Sequence, residues 1–143
     1  MLRETKLTLY TKATPKARPR VVKRGQFISA YTPKKKFEEF VGSEYQSWGL
    51  PLYETKIEIS IKFYFKPAES LTKKKRLVCL EEKWCDNHGL GDLDNLIKSV
   101  LDGLNKIAYK DDSQIVKFGE MTKEYAEEDK VEITIKEIED AQK

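Results

Sequence analysis

The stretch Lys56-Ile57-Glu58-Ile59-Ser60-Ile61-Lys62-Phe63-Tyr64-Phe65 decides the fold class. Large apolar residues stand at 57, 59, 61, 63 and 65, with Glu58, Ser60, Lys62 and Tyr64 between them. A period of two in β-branched and aromatic residues is a strand with one face in a core. Downstream, Leu71 to Lys83 reads as a helix with basic early turns (Lys73, Lys74, Lys75, Arg76), and Asp86 to Gly91 as a polar loop. Leu93, Leu96, Ile97, Val100, Leu101 and Leu104 form one continuous apolar stripe, which predicts a helix from Leu93 to Lys106. Gln114 to Met121 and Val131 to Ile138 read as strands that Thr122 to Lys130 would join as a hairpin.

Upstream, Thr32 reads as an N-cap and Pro33 as the first helical residue. Phe37, Phe40, Val41, Tyr45 and Trp48 follow at helical spacing, expected in the core, and Gly49 ends the helix. Gln26 to Tyr31 and Leu7 to Tyr10 are the remaining strands. Thr14 to Gly25 is expected to be irregular, because Pro15 and Pro19 restrict the residues before them. The sum is an α/β (α+β) chain, one domain over residues 1–143, with a mixed, mostly antiparallel sheet and about three helices.

A chain of 143 residues suffices for one genuine core. No apolar run is long enough to span a bilayer, and no apolar leader follows Met1, so a cytoplasmic protein is expected. Cys79 and Cys85 with Asp86 and His88 match no usual zinc spacing, and the thiols are expected to be buried or incidental. Net charge is only +3, yet no acidic residue occurs from Thr5 to Phe37, and acids dominate from Glu120 onward. A basic half on a nearly neutral chain is either a solvated face or a footprint for a polyanion.

The chemistry concentrates in Gly91-Asp92-Leu93-Asp94-Asn95-Leu96-Ile97-Lys98-Ser99-Val100-Leu101-Asp102 and in Tyr109-Lys110-Asp111-Asp112-Ser113-Gln114. With the apolar stripe facing the core, Asp94, Lys98 and Asp102 share a polar row, and Asp92 sits at the helix start. A strand packed beside the helix would return Asp111 and Asp112 to that start. Several carboxylates together need a neutraliser, and a hard divalent cation is the natural one. Such ions activate water in phosphodiester hydrolysis, and a neighbouring lysine offsets charge on phosphate. Each residue also has a structural role available: a cap for Asp92 or Asp94, an i,i+4 pair for Lys98, a turn for Asp111-Asp112-Ser113. An aspartyl-nucleophile phosphatase is a poorer fit, since its acid pair follows a buried strand and Asp92 follows a loop. His88 is a candidate general base only by proximity in sequence.

The pattern Asp92-x-Asp94-Asn95-x-x-Lys98-x-x-x-Asp102-x-Leu104, followed by Asp111-Asp112-x-Gln114, resembles the RusA family of Holliday junction resolvases (crossover junction endodeoxyribonucleases). Arg18-Pro19-Arg20, Tyr31-Thr32-Pro33 and Val131-Glu132-Ile133-Thr134-Ile135 extend the likeness over nearly the whole chain. The resemblance implies a homodimeric endonuclease that binds four-way DNA junctions and places paired symmetric nicks with Mg²⁺, Mn²⁺ being a substitute. It implies a role in DNA recombination and repair in a bacterial or prophage setting. Carried over by position, the catalytic residues are Asp92, Asp94, Lys98 and Asp112. Asp92, Asp94 and Asp112 hold metal, with Asp111 the alternative ligand. Arg18, Arg20, Lys23, Arg24, Lys34, Lys35 and Lys36 are the candidate DNA contacts. Trp84 or Tyr31 would stack on an unpaired base only if exposed, and burial is the expectation for each. The rival reading is a non-catalytic branched-DNA-binding protein that keeps the fold.

Overall fold

In the computed structural model, the alternating stretch forms the central strand β4 (Ile57–Phe65), and its five odd-numbered apolar side chains are fully buried. The structure describes residues 2–16, 20–24, 27–31 and 35–139; for 20–24, 27–31 and Lys35 only the backbone is described. Elements run β1 (Glu4–Leu9), β2 (Arg20–Arg24), β3 (Phe27–Tyr31), α1 (Lys35–Ser47), β4, α2 (Lys73–Glu82), α3 (Leu93–Leu104), β5 (Ile115–Tyr125) and β6 (Lys130–Glu137). The main sheet has the order β1-β6-β4-β5. β6 pairs antiparallel with β1 and with β4, while β5 runs parallel to β4. The fold is α+β, with a four-stranded mixed sheet.

One expectation fails at the C-terminal end. β5 and β6 are neighbours in sequence but do not pair, because β4 lies between them. The reason is burial: β4, β6 and β1 each place alternate residues in the core, whereas Val116 to Glu120 of β5 are exposed on both faces. A strand so poorly covered belongs at the edge. β5 also extends to Tyr125, into the segment expected to be a connection. The stretch expected to be irregular between Thr14 and Gly25 contains β2, which pairs antiparallel with β3, Arg20 opposite Tyr31 and Arg24 opposite Phe27. Pro19 precedes that strand and so removes no ladder donor from it.

α1 and α3 pack against each other on the buried side of the sheet. Phe37, Val41 and Tyr45 of α1 are buried as expected, but Phe40 and Trp48 are exposed. Phe40 falls on the flank of the buried row, and Trp48 lies in the turn past the helix end at Ser47. Leu96, Val100 and Leu104 of α3 are fully buried, and Leu93, Ile97 and Leu101 are partly so. The two helices approach closely where Gly42 faces Gly103: a Cβ at Gly103 would lie 2.7 Å from the Glu38 carbonyl oxygen. Thr32 and Pro33, the expected helix cap, lie outside the described residues. No helix among the described residues is long and apolar enough to cross a membrane.

Candidate active site

α3 starts at Asp92, whose backbone is extended (φ −75°, ψ 150°) while its carbonyl already accepts from Leu96 N at 3.0 Å. Asp92 therefore occupies the N-cap position, yet its carboxylate makes no capping bond. Asp94 lies in the first turn, its Oδ1 accepting from Asn95 N at 2.9 Å. Both side chains are exposed, where the positive end of the helix favours negative charge. Lys98 is exposed one turn on and pairs with no carboxylate within 4.0 Å among the described residues, so the i,i+4 pair with Asp94 is not formed. Two carboxylates and a lysine thus project into solvent from the first turns of one helix.

Asp102, in the same row, has another use. Lys16 Nζ lies 2.9 Å from its Oδ2 and 3.0 Å from Glu38 Oε1, joining α3 to α1. Burial alone would lower the Lys16 pKa; the Asp102 and Glu38 carboxylates outweigh it and raise it. Lys16 N also donates to the Asn95 carbonyl at 2.9 Å, and Ser99 Oγ to the Thr14 carbonyl at 2.8 Å. The chain just before Arg18 is thereby laid along the acid-bearing helix. Asp102 braces this contact.

The two members of the acid pair after α3 differ in their bonding. Asp111 Oδ2 accepts from Ser113 N at 3.0 Å, and the Gln114 side chain answers to the Asp111 backbone N–H, a reciprocal capping box. The bonds from Ser113 hold the Asp111 carboxyl below its usual pKa. Gln114 Nε2 then donates to the carbonyls of Tyr53 and Thr55, both at 2.9 Å, and pins the turn to the segment that leads into β4. Asp112 is exposed and makes none of these bonds.

Asp112 is not brought back to the start of α3 within one chain. β5 begins with Ile115 opposite Ile57 and reaches Lys123 opposite Phe63. Lys123 Nζ donates to the Gly91 carbonyl at 2.7 Å, so the start of α3 lies over the far end of that strand. Six residues of strand separate the two levels, about 20 Å at a rise of about 3.3 Å per residue. Asp112 sits instead by the other end of α3, where its charge and that of Asp102 add to burial in raising the Tyr109 phenol pKa. Tyr109 donates to the Leu101 carbonyl at 2.6 Å. Accordingly, no group of three or more His, Cys, Asp or Glu side chains able to hold a metal is found among the described residues.

The family model for endodeoxyribonuclease RusA matches residues 11–136, spanning both halves of this arrangement. The chain belongs to the RusA family. Membership implies endodeoxyribonuclease activity on DNA junctions. This RusA-family chain is also 30% identical over 142 residues to the uncharacterized protein YqaN of Bacillus subtilis (strain 168), covering 93% of this chain and 96% of that one.

The expected DNA contacts fall mostly where little is described. Arg18 and Lys34 lie outside the described residues; Arg20, Lys23 and Arg24 are on β2 and Lys35 opens α1, all by backbone alone. Lys36 is exposed. Trp84 is 58% exposed with the Lys83 ammonium 4.5 Å from its ring centroid, which corrects the expectation of burial. Cys79 and Cys85 are free thiols, the latter buried. Lys123 falls in the segment expected to be a connection, and its one signal in the sequence is the continuation of strand residues past Met121.

Proposed function

We propose that this RusA-family nuclease is a Mg²⁺-dependent resolvase of four-way DNA junctions that works as a homodimer and nicks two strands in a symmetric pair. The observation that carries this reading is the pair of exposed carboxylates, Asp92 and Asp94, at the start of α3, the first of them in a cap position without a capping bond. Such hard oxygen donors suit Mg²⁺, which takes few protein ligands and keeps several waters. When bound, the ion would supply an activated water and charge stabilisation for phosphodiester hydrolysis. Lys98, with no carboxylate partner among the described residues, would hold a phosphate oxygen. Asp112 is favoured over Asp111 as the further ligand, because Asp111 is committed to its turn.

The separation of Asp112 from Asp92 favours a two-fold assembly in which each site takes Asp92, Asp94 and Lys98 from one protomer and Asp112 from its partner. An apolar surface for that contact exists. β5 is the sheet edge, with Val116 53% and Phe118 51% exposed, and α3 touches it with Leu93, Ile97 and Leu101 only partly covered. An uncovered apolar edge strand is a template for pairing. A dimer of this kind presents two sites related by the approximate two-fold symmetry of a junction.

The test is cleavage of a synthetic four-way junction and a matched linear duplex, with and without Mg²⁺, by the wild type and by Asp112→Asn. Paired nicks confined to the junction, dependent on Mg²⁺ and lost in the variant, support the reading. Tight junction binding with no cut in Mg²⁺ or Mn²⁺ would make the protein a non-catalytic branched-DNA binder.

A further inference from the structure

We propose that Lys123 is a positioning residue for Asp92: from β5 it holds the Asn87–Gly91 loop in the one course that delivers the Asp92 carboxylate to the metal site. The inference rests on the metal-dependent reading above.

Residues Asp86 to Gly89 are exposed, and Leu90 is only partly buried. A loop with so little apolar anchoring would ordinarily wander. Here one residue of the sheet ties it at three points. The Lys123 carbonyl accepts from Cys85 N at 2.9 Å, where the loop begins. The Lys123 ammonium donates to the Asn87 carbonyl and to the Gly91 carbonyl, each at 2.7 Å. The register opposite Phe63 puts this side chain on the helix-bearing face of the sheet, beneath the loop.

The choice of partners is informative. Several lysines elsewhere in this chain pair with carboxylates, as Lys16, Lys62 and Lys110 do. Lys123 instead places its charge on two main-chain oxygens, bonds strengthened by that charge. Gly91 has φ +99°, and a Cβ there would lie 2.7 Å from Pro15 Cβ and Cγ, so glycine is required for the chain to turn. Fixing the Gly91 carbonyl fixes the plane of the peptide that ends at Asp92 N. The Asp92 carboxylate makes no cap bond, so the course of that backbone sets the point from which it projects.

The experiment compares full-length wild type with Lys123→Met, which keeps the stem and loses the donors, and Lys123→Arg, which restores charge and donors. Three quantities are read: amide hydrogen exchange over residues 87–93, Mn²⁺ binding by electron paramagnetic resonance, and junction affinity without divalent metal. Lys123→Met is expected to exchange faster across the loop and to bind Mn²⁺ about tenfold more weakly, the usual scale for losing a residue that orients a ligand. Its metal-free junction affinity and circular dichroism should stay at wild-type values, and Lys123→Arg should recover most of the Mn²⁺ affinity. Faster exchange with unchanged Mn²⁺ affinity would make Lys123 a loop strut only, and unchanged exchange would remove even that. If Lys123→Met fails to fold, Lys123→Gln, with a shorter neutral donor, carries the same comparison. A wild type that neither binds Mn²⁺ nor cuts junctions would overturn the metal-dependent reading itself and the positioning role with it.

Discussion

Replacing Gly103 by alanine sets two effects of known sign against each other. Alanine is favoured over glycine inside a helix by about 1 kcal/mol, so on propensity alone α3 would gain. The tertiary contact opposes this. The new Cβ would sit 2.7 Å from the Glu38 carbonyl oxygen, 3.2 Å from Glu38 Cα and 3.1 Å from Val41 Cβ. Two of these are backbone atoms of α1, so relief requires moving a helix. Overpacking of this kind costs about 1–3 kcal/mol, and the rigid obstacles place it at the upper end. The net expectation is a loss of about 2 kcal/mol, or about 6 °C in Tm for a domain of this size. Gly42→Ala should cost less, since its nearest obstacle, Ile107 Cδ1 at 2.6 Å, is the end of a flexible side chain, although the Gly103 carbonyl oxygen follows at 2.8 Å. Urea and thermal unfolding of both variants give the answer. A Gly103→Ala protein as stable as the wild type, or more so, would mean that α1 and α3 do not cross this closely.

Asp111→Asn and Asp112→Asn should behave oppositely: the first lowers Tm and leaves junction cleavage measurable, the second leaves Tm near wild type and abolishes cleavage, and a reversal would exchange their roles. Phe118→Lys should yield a folded monomer by light scattering that no longer cuts; a persistent dimer would move the interface away from β5. At alkaline pH, burial raises the Tyr45 phenol to about 12, above its ordinary 10.0. A raised folded-state pKa contributes stability that is complete below the unfolded value and is lost as pH rises through the folded one. Urea midpoints should therefore fall from pH 10 to pH 12, and fall less in Tyr45→Phe, which has no proton to lose.

What was legible in the sequence was local. The period of two in Ile57–Phe65 and the stripe from Leu93 to Leu104 each describe one face of one element; the first is fully buried, and the second is buried at Leu96, Val100 and Leu104 and partly covered at its other positions. Asp92 and Asp94 were legible for the same reason, since a helix start fixes its neighbours within a turn. The pairing of β5 was not legible: β5 and β6 adjoin in sequence, and only the competition for burial puts β4 between them. The different bonding of Asp111 and Asp112 was equally hidden, because the turn depends on Gln114 reaching Tyr53 and Thr55 across the fold. Spacing could bring Asp112 near α3, but the parallel run of β5 along β4 decides which end it meets. That direction comes from long-range strand pairing, which no local pattern encodes, and it is why four acids close in sequence stand at two ends of one helix.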